Sequence, residues 1–415
     1  METTQAIPLG AGRVVLIFVL RDIILVSTEG TFTLNRLTKT SPVTILSTGD
    51  YTIVRCTIMM GDRIRAARLS RGLSLRALAH EVGVSHQAIH KYERNQDVPG
   101  SKVLMALSDA LGVKPDFFFR SGRVFDLKPA FRKHSRLPAI AENVILGNAM
   151  DWLERYFEVE SLLPSVEPVD FPPHLDKGPV KTLDDAERLA DDLRQAWGLG
   201  DGPVPKLMEL LEDKGVRVGI LNTEYEDFDA CGFWIRSSEG DQAGCGSAAI
   251  VIRAGVPGDR QRFSMAHELG HLLLEWLDDS CRSQQDNPRN PQGGISVEAA
   301  ANRFAGAFLV PSEAAYRELG QRRRNITIRE LQLLKDKYGF SIQAWLRRAL
   351  ELDIISHDLQ SRLFRELKAQ GGPKTEPGNQ IPPEEPGRMK RMALRAVAEG
   401  VITRSRAAEL AGITM

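Results

Sequence analysis

The chain has 415 residues, enough for two or three domains with separate cores. Its hydrophobic content of 42% and charged content of 26% are ordinary for a soluble globular protein. Lys plus Arg equals Asp plus Glu at 54 each, which excludes a whole-molecule field toward nucleic acid or membrane; any DNA-binding surface must be a local patch.

Residues 1–58 are β-branched and aperiodic. They read either as a short strand-rich extension or, if translation starts at Met59 or Met60, as a gene-model artefact. The apolar run Val14 to Val26 is too short to span a bilayer as a helix and carries Arg21 and Asp22 in its middle. A signal peptide fits poorly, because no small-residue cleavage site follows a clean apolar run. Four cysteines, Cys56, Cys231, Cys245 and Cys281, show no CxxC pairing and suit a reducing compartment. The expected location is the cytoplasm.

From Gly61 to Arg120 the pattern predicts four short helices. One begins at Arg63 to Arg71, and Ser74 caps a second that runs to Val82. Gly83 makes the turn, Ser85 caps a third through Glu93, and Ser101 starts a fourth ending near Gly112. This is the layout of a helix-turn-helix domain. The segment holds ten basic residues against six acidic ones, so it is basic where the whole chain is neutral. A protein-interaction module without DNA contact is the bland alternative.

Residues 121–179 read as a connector with one helix, Ile140 to Leu162, and a Pro-rich stretch. Beyond it come helices at Leu183 to Trp197 and Val204 to Lys214, strands at Val216 to Leu221 and Ala248 to Arg253, and helices at Arg260 to Leu277 and Ser296 to Val310. Two further helices fall within Thr327 to Leu352. GGPKTEPGNQIPPEEPG reads as a linker or extended arm, and Met389 to Gly412 as a last helical pair without visible chemistry.

HELGH, His267 to His271, lies inside the helix that Asp259 is expected to cap. Residues four apart share a helix face, so the two imidazoles can grip one metal ion. Glu268 is turned about 100° away, beside the metal rather than on it. Catalytic zinc needs three protein ligands and an open position. The pentapeptide alone arises by chance, but Phe263, Ala266, Gly270, Leu273 and Leu277 form an apolar stripe that buries this helix on one side. Gly270, costly inside a helix, makes sense where another helix must approach. Glu298, a lone acid on a face with Ala301, Ala305 and Phe308, is the third-ligand candidate; Asn302 can hydrogen-bond it from one turn on. Asp278, Asp279 and Cys281 compete as ligands but read as solvated loop residues.

RQRFSMAHELGHLLL followed by VEAAANRFAGAFLVP resembles the ImmA/IrrE family of metallopeptidase-like proteins, as do LRQAWGLGDGPVPKLMELLEDKGVRV and the D-x-x-G-F at Asp229 to Phe233. The resemblance implies Zn2+ held by His267, His271 and Glu298, with Glu268 as general base. Ala300 departs from it, where many relatives carry a second acid. VSHQAIHKYERNQDVPG, preceded by LSLRALAHEVG, resembles the Cro/C1-type (XRE) helix-turn-helix family. In that fold the recognition helix enters the major groove by its N-terminal end. Ser85 begins it here. His86, Gln87 and His90 are thereby placed toward base edges, with Gln87 the best candidate for adenine, and Lys91 and Arg94 toward phosphates.

The expected fold class is multidomain: an all-α helix-turn-helix domain at 59–120, then an α+β zincin-like metallopeptidase domain at 180–370 with helical additions at 371–415. Two functions follow. One is a DNA-binding regulator with a zinc endopeptidase that cleaves a repressor or antitoxin. The other is a non-catalytic regulator or antitoxin whose zinc domain senses or binds a partner. Expected partners are double-stranded operator DNA, a protein substrate and a second copy of the chain, with no membrane.

Overall fold

The structure, a computed structural model, describes residues 4–9, 13–20, 23–28, 31–36, 60–119, 126–129, 137–163, 171–173, 175, 180–236, 247–281, 295–370 and 376–412. The chain divides into two units, 1–58 and 59–415. In the first, β1 (Thr4–Leu9), β2 (Arg13–Leu20), β3 (Ile23–Thr28) and β4 (Thr31–Arg36) pair in chain order as an antiparallel meander. Within the apolar run, residues 14–20 belong to β2 and residues 23–26 to β3. Among the described residues no helix is long and apolar enough to cross a membrane.

The second unit opens with α1 (Met60–Ser70), α2 (Leu75–Val82), α3 (His86–Glu93) and α4 (Ser101–Leu111). Ser74 and Ser85 cap α2 and α3, each hydroxyl accepting a backbone N–H at 3.1 Å. Gly83 takes φ +74°, the left-handed turn that separates them. Ile64, Leu78, Ile89, Leu107 and Phe118 fill the centre of this domain. A buried Arg68–Glu93 ion pair, with Nη2 to Oε2 at 2.9 Å, ties α1 to the end of α3. That pairing fixes the angle of the helix expected to read DNA.

The chain continues through β5 (Asp126–Pro129), α5 (Ala139–Ser161), α6 (Leu183–Trp197) and α7 (Leu207–Asp213). Next come β6 (Val216–Leu221), β7 (Ala230–Arg236) and β8 (Ser247–Arg253). The strands form a sheet of order β5-β7-β8-β6, parallel between β6 and β8 and antiparallel elsewhere. Helices α8 (Gly258–Cys281), α9 (Val297–Leu309), α10 (Ser312–Leu319), α11 (Ile328–Tyr338), α12 (Ile342–Glu351) and α13 (His357–Gln370) follow, then α14 (Arg388–Ala398) and α15 (Arg404–Ala411).

Both faces of the sheet are covered, so β8 is a continuous apolar run. Ala248, Ile250 and Ile252 join the core built by α6, α8, α9 and α12. Ala249 and Val251 turn the other way, against Ile145, Ala149, Trp152 and Tyr156 of α5 and Met389, Met392 and Ala396 of α14. The connector helix and the tail therefore share a core with the sheet, and positions 179 and 370 do not separate independent bodies. On its other side α5 meets α1. A Cβ on Gly147 would lie 2.5 Å from the Ser70 amide nitrogen, and Arg63 pairs with Glu154 at 2.8 Å.

The stretch expected as a linker or extended arm is an arm over residues 376–387, packed on the domain as a strap. Glu376 accepts from the Ile342 and Gln343 amides at 2.8 and 2.9 Å, capping α12, and pairs with Lys335 at 3.1 Å. Further on, Glu384 accepts the Met208 amide at 2.7 Å at the start of α7. Asp259, expected as a cap, instead lies inside the first turn of α8 and pairs with Lys335 at 2.8 Å. Because the strap satisfies helix ends and α14 covers the sheet, a chain ending at Gln370 should lose more than about 4 kcal/mol of stability, given about 2–5 kcal/mol for each large apolar side chain uncovered. Denaturant unfolding of full and shortened chains measures this. Equal midpoints would mean that the tail contributes no core.

Candidate metal centre

Three side chains converge where α8 crosses α9. His267 and His271 sit one turn apart on α8, and their Nε2 atoms lie 3.0 Å from each other. Glu298, in the first turn of α9, brings Oε2 to 3.4 Å from His267 Nε2 and Oε1 to 3.3 Å from His271 Nε2. Four tetrahedral ligands at the usual zinc distances of about 2.0–2.1 Å stand roughly 3.3 Å apart, so this triangle has the size of one face of such a site. Among the described residues these three form the group able to hold a metal ion. The set of two imidazoles and one carboxylate fits a cation with an open fourth position.

Close helix crossing makes the triangle. A Cβ on Gly270 would lie 2.9 Å from the Phe304 ring and 3.4 Å from Ala301 Cα, so the glycine lets α9 approach α8 as its position in the motif predicts. Ser296 caps α9 through its hydroxyl, with the Ala299 amide at 3.1 Å, and starts the helix where Glu298 faces the histidines. The two imidazoles hold the Glu298 carboxyl well below the ordinary carboxylate range, chiefly by hydrogen bonding. Burial alone would lower His271, but its hydrogen bond to Glu298 and the charges of Glu268 and Glu298 raise it.

Glu268 stays off the triangle. Its carboxylate accepts the backbone N–H of Gly232, on β7, at 2.8 Å, and the side chain is buried. Burial raises its pKa despite the nearby imidazoles and the amide. That gives a stronger base beside the ligand set. A Cβ on Gly232 would come within 3.2 Å of Leu272 and 3.4 Å of the Glu268 carboxylate, so a side chain here would be tightly packed and would press on α8. Trp234 Nε1 donates to the Leu272 carbonyl at 3.1 Å and clamps the same strand to α8. The sequence flagged Asp229 to Phe233 only by resemblance; the signal that could have found Gly232 was a glycine inside a strand-like apolar run.

Other expected residues part from the centre. Asn302 is exposed, and among the described residues no hydrogen bond joins it to Glu298, whose oxygens face the imidazoles instead. Asp278, Asp279 and Cys281 belong to the last turn of α8 rather than a loop. On the helix-turn-helix domain, Ser85, His86, Gln87, His90, Lys91 and Arg94 are all exposed along α3, while Ile89 is buried. The Ser85 hydroxyl is committed to its cap.

Comparison with known proteins agrees with this division. Residues 64–118 match the helix-turn-helix family, and residues 211–350 match the IrrE N-terminal-like domain. The chain joins a domain of each kind. The repressor protein C2 of Salmonella phage P22 is 42% identical over 64 residues, covering 15% of this chain and 30% of that protein. An uncharacterized HTH-type transcriptional regulator, YonR, from the SPbeta prophage of Bacillus subtilis is 37% identical over 70 residues, covering 17% and 65%. The propionyl-CoA carboxylase regulator of Cereibacter sphaeroides is 25% identical over 313 residues, covering 68% of this chain and 62% of its own. This chain thus spans less than two thirds of each of these relatives.

The helix crossing gives a direct test. Gly270→Val forces α8 and α9 apart, and should cost about 1–3 kcal/mol of stability by overpacking. Metal retained per folded molecule should fall with it, since His271 and Glu298 sit on the separated helices. Thermal unfolding and elemental analysis read the two effects. Undiminished metal in a stably folded variant would contradict the geometry.

Proposed function

We propose that the protein is a DNA-binding transcriptional regulator whose second domain is a zinc-dependent endopeptidase acting on a protein such as a repressor or antitoxin. One observation carries this reading: Glu268 is buried beside the ligand triangle, held by the Gly232 amide and free of the ligand set. A purely structural site has no use for such an acid. His267, His271 and Glu298 would hold the zinc, which would supply Lewis acidity to a water, bringing its pKa to about 7, and to a peptide carbonyl. Glu268 takes one proton from the water as its oxygen bonds to the carbonyl carbon. When the C–N bond breaks, the same carboxyl returns that proton to the leaving nitrogen, and the products are a new carboxyl and a new amino terminus. The protein acts in the cytoplasm, on double-stranded operator DNA and as a homodimer.

The exposed row along α3 supports operator reading. Gln87→Ala should cost on the order of 1–3 kcal/mol of sequence discrimination. Arg94→Ala should weaken specific and scrambled DNA alike and flatten the salt dependence. Titrations at several salt concentrations separate the two, and an unchanged preference in Gln87→Ala would move the reading surface elsewhere.

A second reading, a regulator whose zinc domain binds or senses without cutting, is favoured by the relatives' names, which are those of regulators. Glu268→Gln divides the readings. It preserves size and removes basicity, so zinc content and operator binding should persist while partner cleavage falls by about 10²–10⁴. His271→Ala should lose the metal as well. The assay follows partner integrity, reporter output and zinc in wild type and both variants. Normal induction by Glu268→Gln with an uncut partner would leave a zinc-containing switch.

A further inference from the structure

Away from the metal centre, the strap and the helices it crosses enclose a cleft of about 640 Å³. That volume falls within the range of small-molecule sites, roughly 300–1,000 Å³. Its walls come from α7 and the loop before it, the end of α11, the strap, and single residues of α8 and α14. Pro203, Pro205, Pro382 and Pro383 line it together with Val204 and Tyr338. Proline rings are rigid, apolar and without an N–H, so these walls offer shape rather than hydrogen bonds. Tyr338 commits its hydroxyl to Glu318 at 2.9 Å.

The charges around the cleft pair off one by one. Arg262 is buried and donates to Glu384 and to the Val204 and Pro205 carbonyls. Glu384 also accepts the Met208 amide at 2.7 Å. Glu212 accepts the Gly387 and Arg388 amides at 3.0 and 2.9 Å. Lys206 pairs with Glu209 at 3.2 Å, Lys337 with Glu318 at 2.7 Å, and Lys390 with Glu385 at 3.1 Å. Asp336 accepts from the Asn379 side chain at 3.1 Å. Arg391 is left. It is exposed at the cleft, and among the described residues its guanidinium makes no hydrogen bond or ion pair. Glu212 feels its charge, but the two amides already occupy that carboxylate. A Cβ on Gly387 would lie 2.6 Å from Arg391 Nη1, so the bare backbone there makes room for the guanidinium.

We propose that this cleft binds a small organic anion, a monocarboxylate with an apolar body, and that Arg391 receives its carboxylate. A guanidinium presents two parallel N–H donors, which match one carboxylate. Every acid lining the cleft already has a donor, so a cationic ligand meets no open partner there. A neutral ligand would leave Arg391 unmatched. Such binding needs neither zinc nor cleavage and is independent of the peptidase reading. An occupant touches the strap, α11 and α14 at once, and Arg262 in the wall belongs to the helix that carries His267. The tail and the metal-site helix thus meet at a ligand.

The test uses full-length protein and two probes, para-(trifluoromethyl)benzoate and its neutral amide, followed by fluorine NMR. The benzoate should bind with a Kd below about 1 mM, and the amide at least tenfold more weakly. Arg391→Gln keeps the side chain's length and removes its charge. It should weaken the benzoate at least tenfold, the loss expected when a charge-assisted hydrogen bond goes. Lys206→Ala removes a cation that already has a partner and should change affinity less than twofold. Arg391→Gln leaves the metal centre intact, so benzoate bound to zinc would survive that substitution. Hydrogen exchange locates the site: benzoate should slow residues 381–391 in wild type and leave them unchanged in Arg391→Gln. Equal affinity in wild type and Arg391→Gln overturns the proposal, as does no binding of the benzoate by wild type. Tighter binding of phenyl phosphate than of the benzoate overturns the carboxylate assignment. If circular dichroism finds Arg391→Gln unfolded, exchange on the wild type decides, and no slowing over residues 381–391 overturns the site.

Discussion

The hydrogen bond from the Gly232 amide to Glu268 sets the distance between β7 and α8, and the centre of the second domain is arranged around that distance. A carboxylate buried without a partner is costly, and here one main-chain donor and two imidazoles offset the loss of water. Strand and helix then lie close, which leaves little room for a side chain at position 232. The same demand recurs on the far side of α8, where Gly270 lets α9 bring Glu298 to the histidines. Two glycines, one in a strand and one in a helix, are thus what place a base and three ligands around one point. The ligand triangle and the base are fixed by different contacts, so each can be disturbed separately.

Consecutive residues of β7 serve opposite faces of the sheet. Gly232 holds Glu268, and its neighbour Cys231 is buried in the other core among α5 and α14 side chains. Burial and the charge of Glu268 push that thiol well up, which makes it packing rather than a nucleophile. The tail completes this outer core after the strap has capped α12 and α7 with Glu376 and Glu384. These acids sit at helix N-termini, where unpaired amides and the helix dipole both favour negative charge.

Much of this was legible in the sequence where local chemistry dictates structure. Ser74, Gly83 and Ser85 announce their caps and turn, and the four-residue spacing of His267 and His271 requires a helix to become a site. Glu298 was legible as a lone acid on an apolar face. What escaped depended on distant partners. β5 is four residues long, and its pairing with β7 is visible only once the sheet exists. β7 reads ACGFWIR, apolar on both faces, and lacks the alternation that marks a half-exposed strand. Asp259 has the composition of a cap, but Lys335, 76 positions later, claims its carboxylate. The Pro-rich strap has a linker's composition because its backbone is extended; its acids become structural only through the helix ends they reach. Asn302 had the right spacing from Glu298, yet that carboxylate had nearer partners.

The joint between the two matched domains is a packed helix, and this constrains how they can act together. Arg63 of α1 is almost fully buried and reaches Glu154 of α5, while its guanidinium also lies over the Phe117 ring. Gly147 brings the α5 backbone against Ser70. Swinging the helix-turn-helix domain away would break the Arg63–Glu154 pair and uncover the close contact of α1 with α5. A free tether resists such motion with far less. On its opposite face α5 buries Trp152 and Tyr156 in the core that contains Cys231, one residue from the amide that holds Glu268. The recognition helix is tied to α1 by Arg68–Glu93, α1 to α5 by Arg63–Glu154, and α5 to β7 by apolar packing. The helix-turn-helix domain and the strand that holds Glu268 thus pack on opposite faces of one helix, α5.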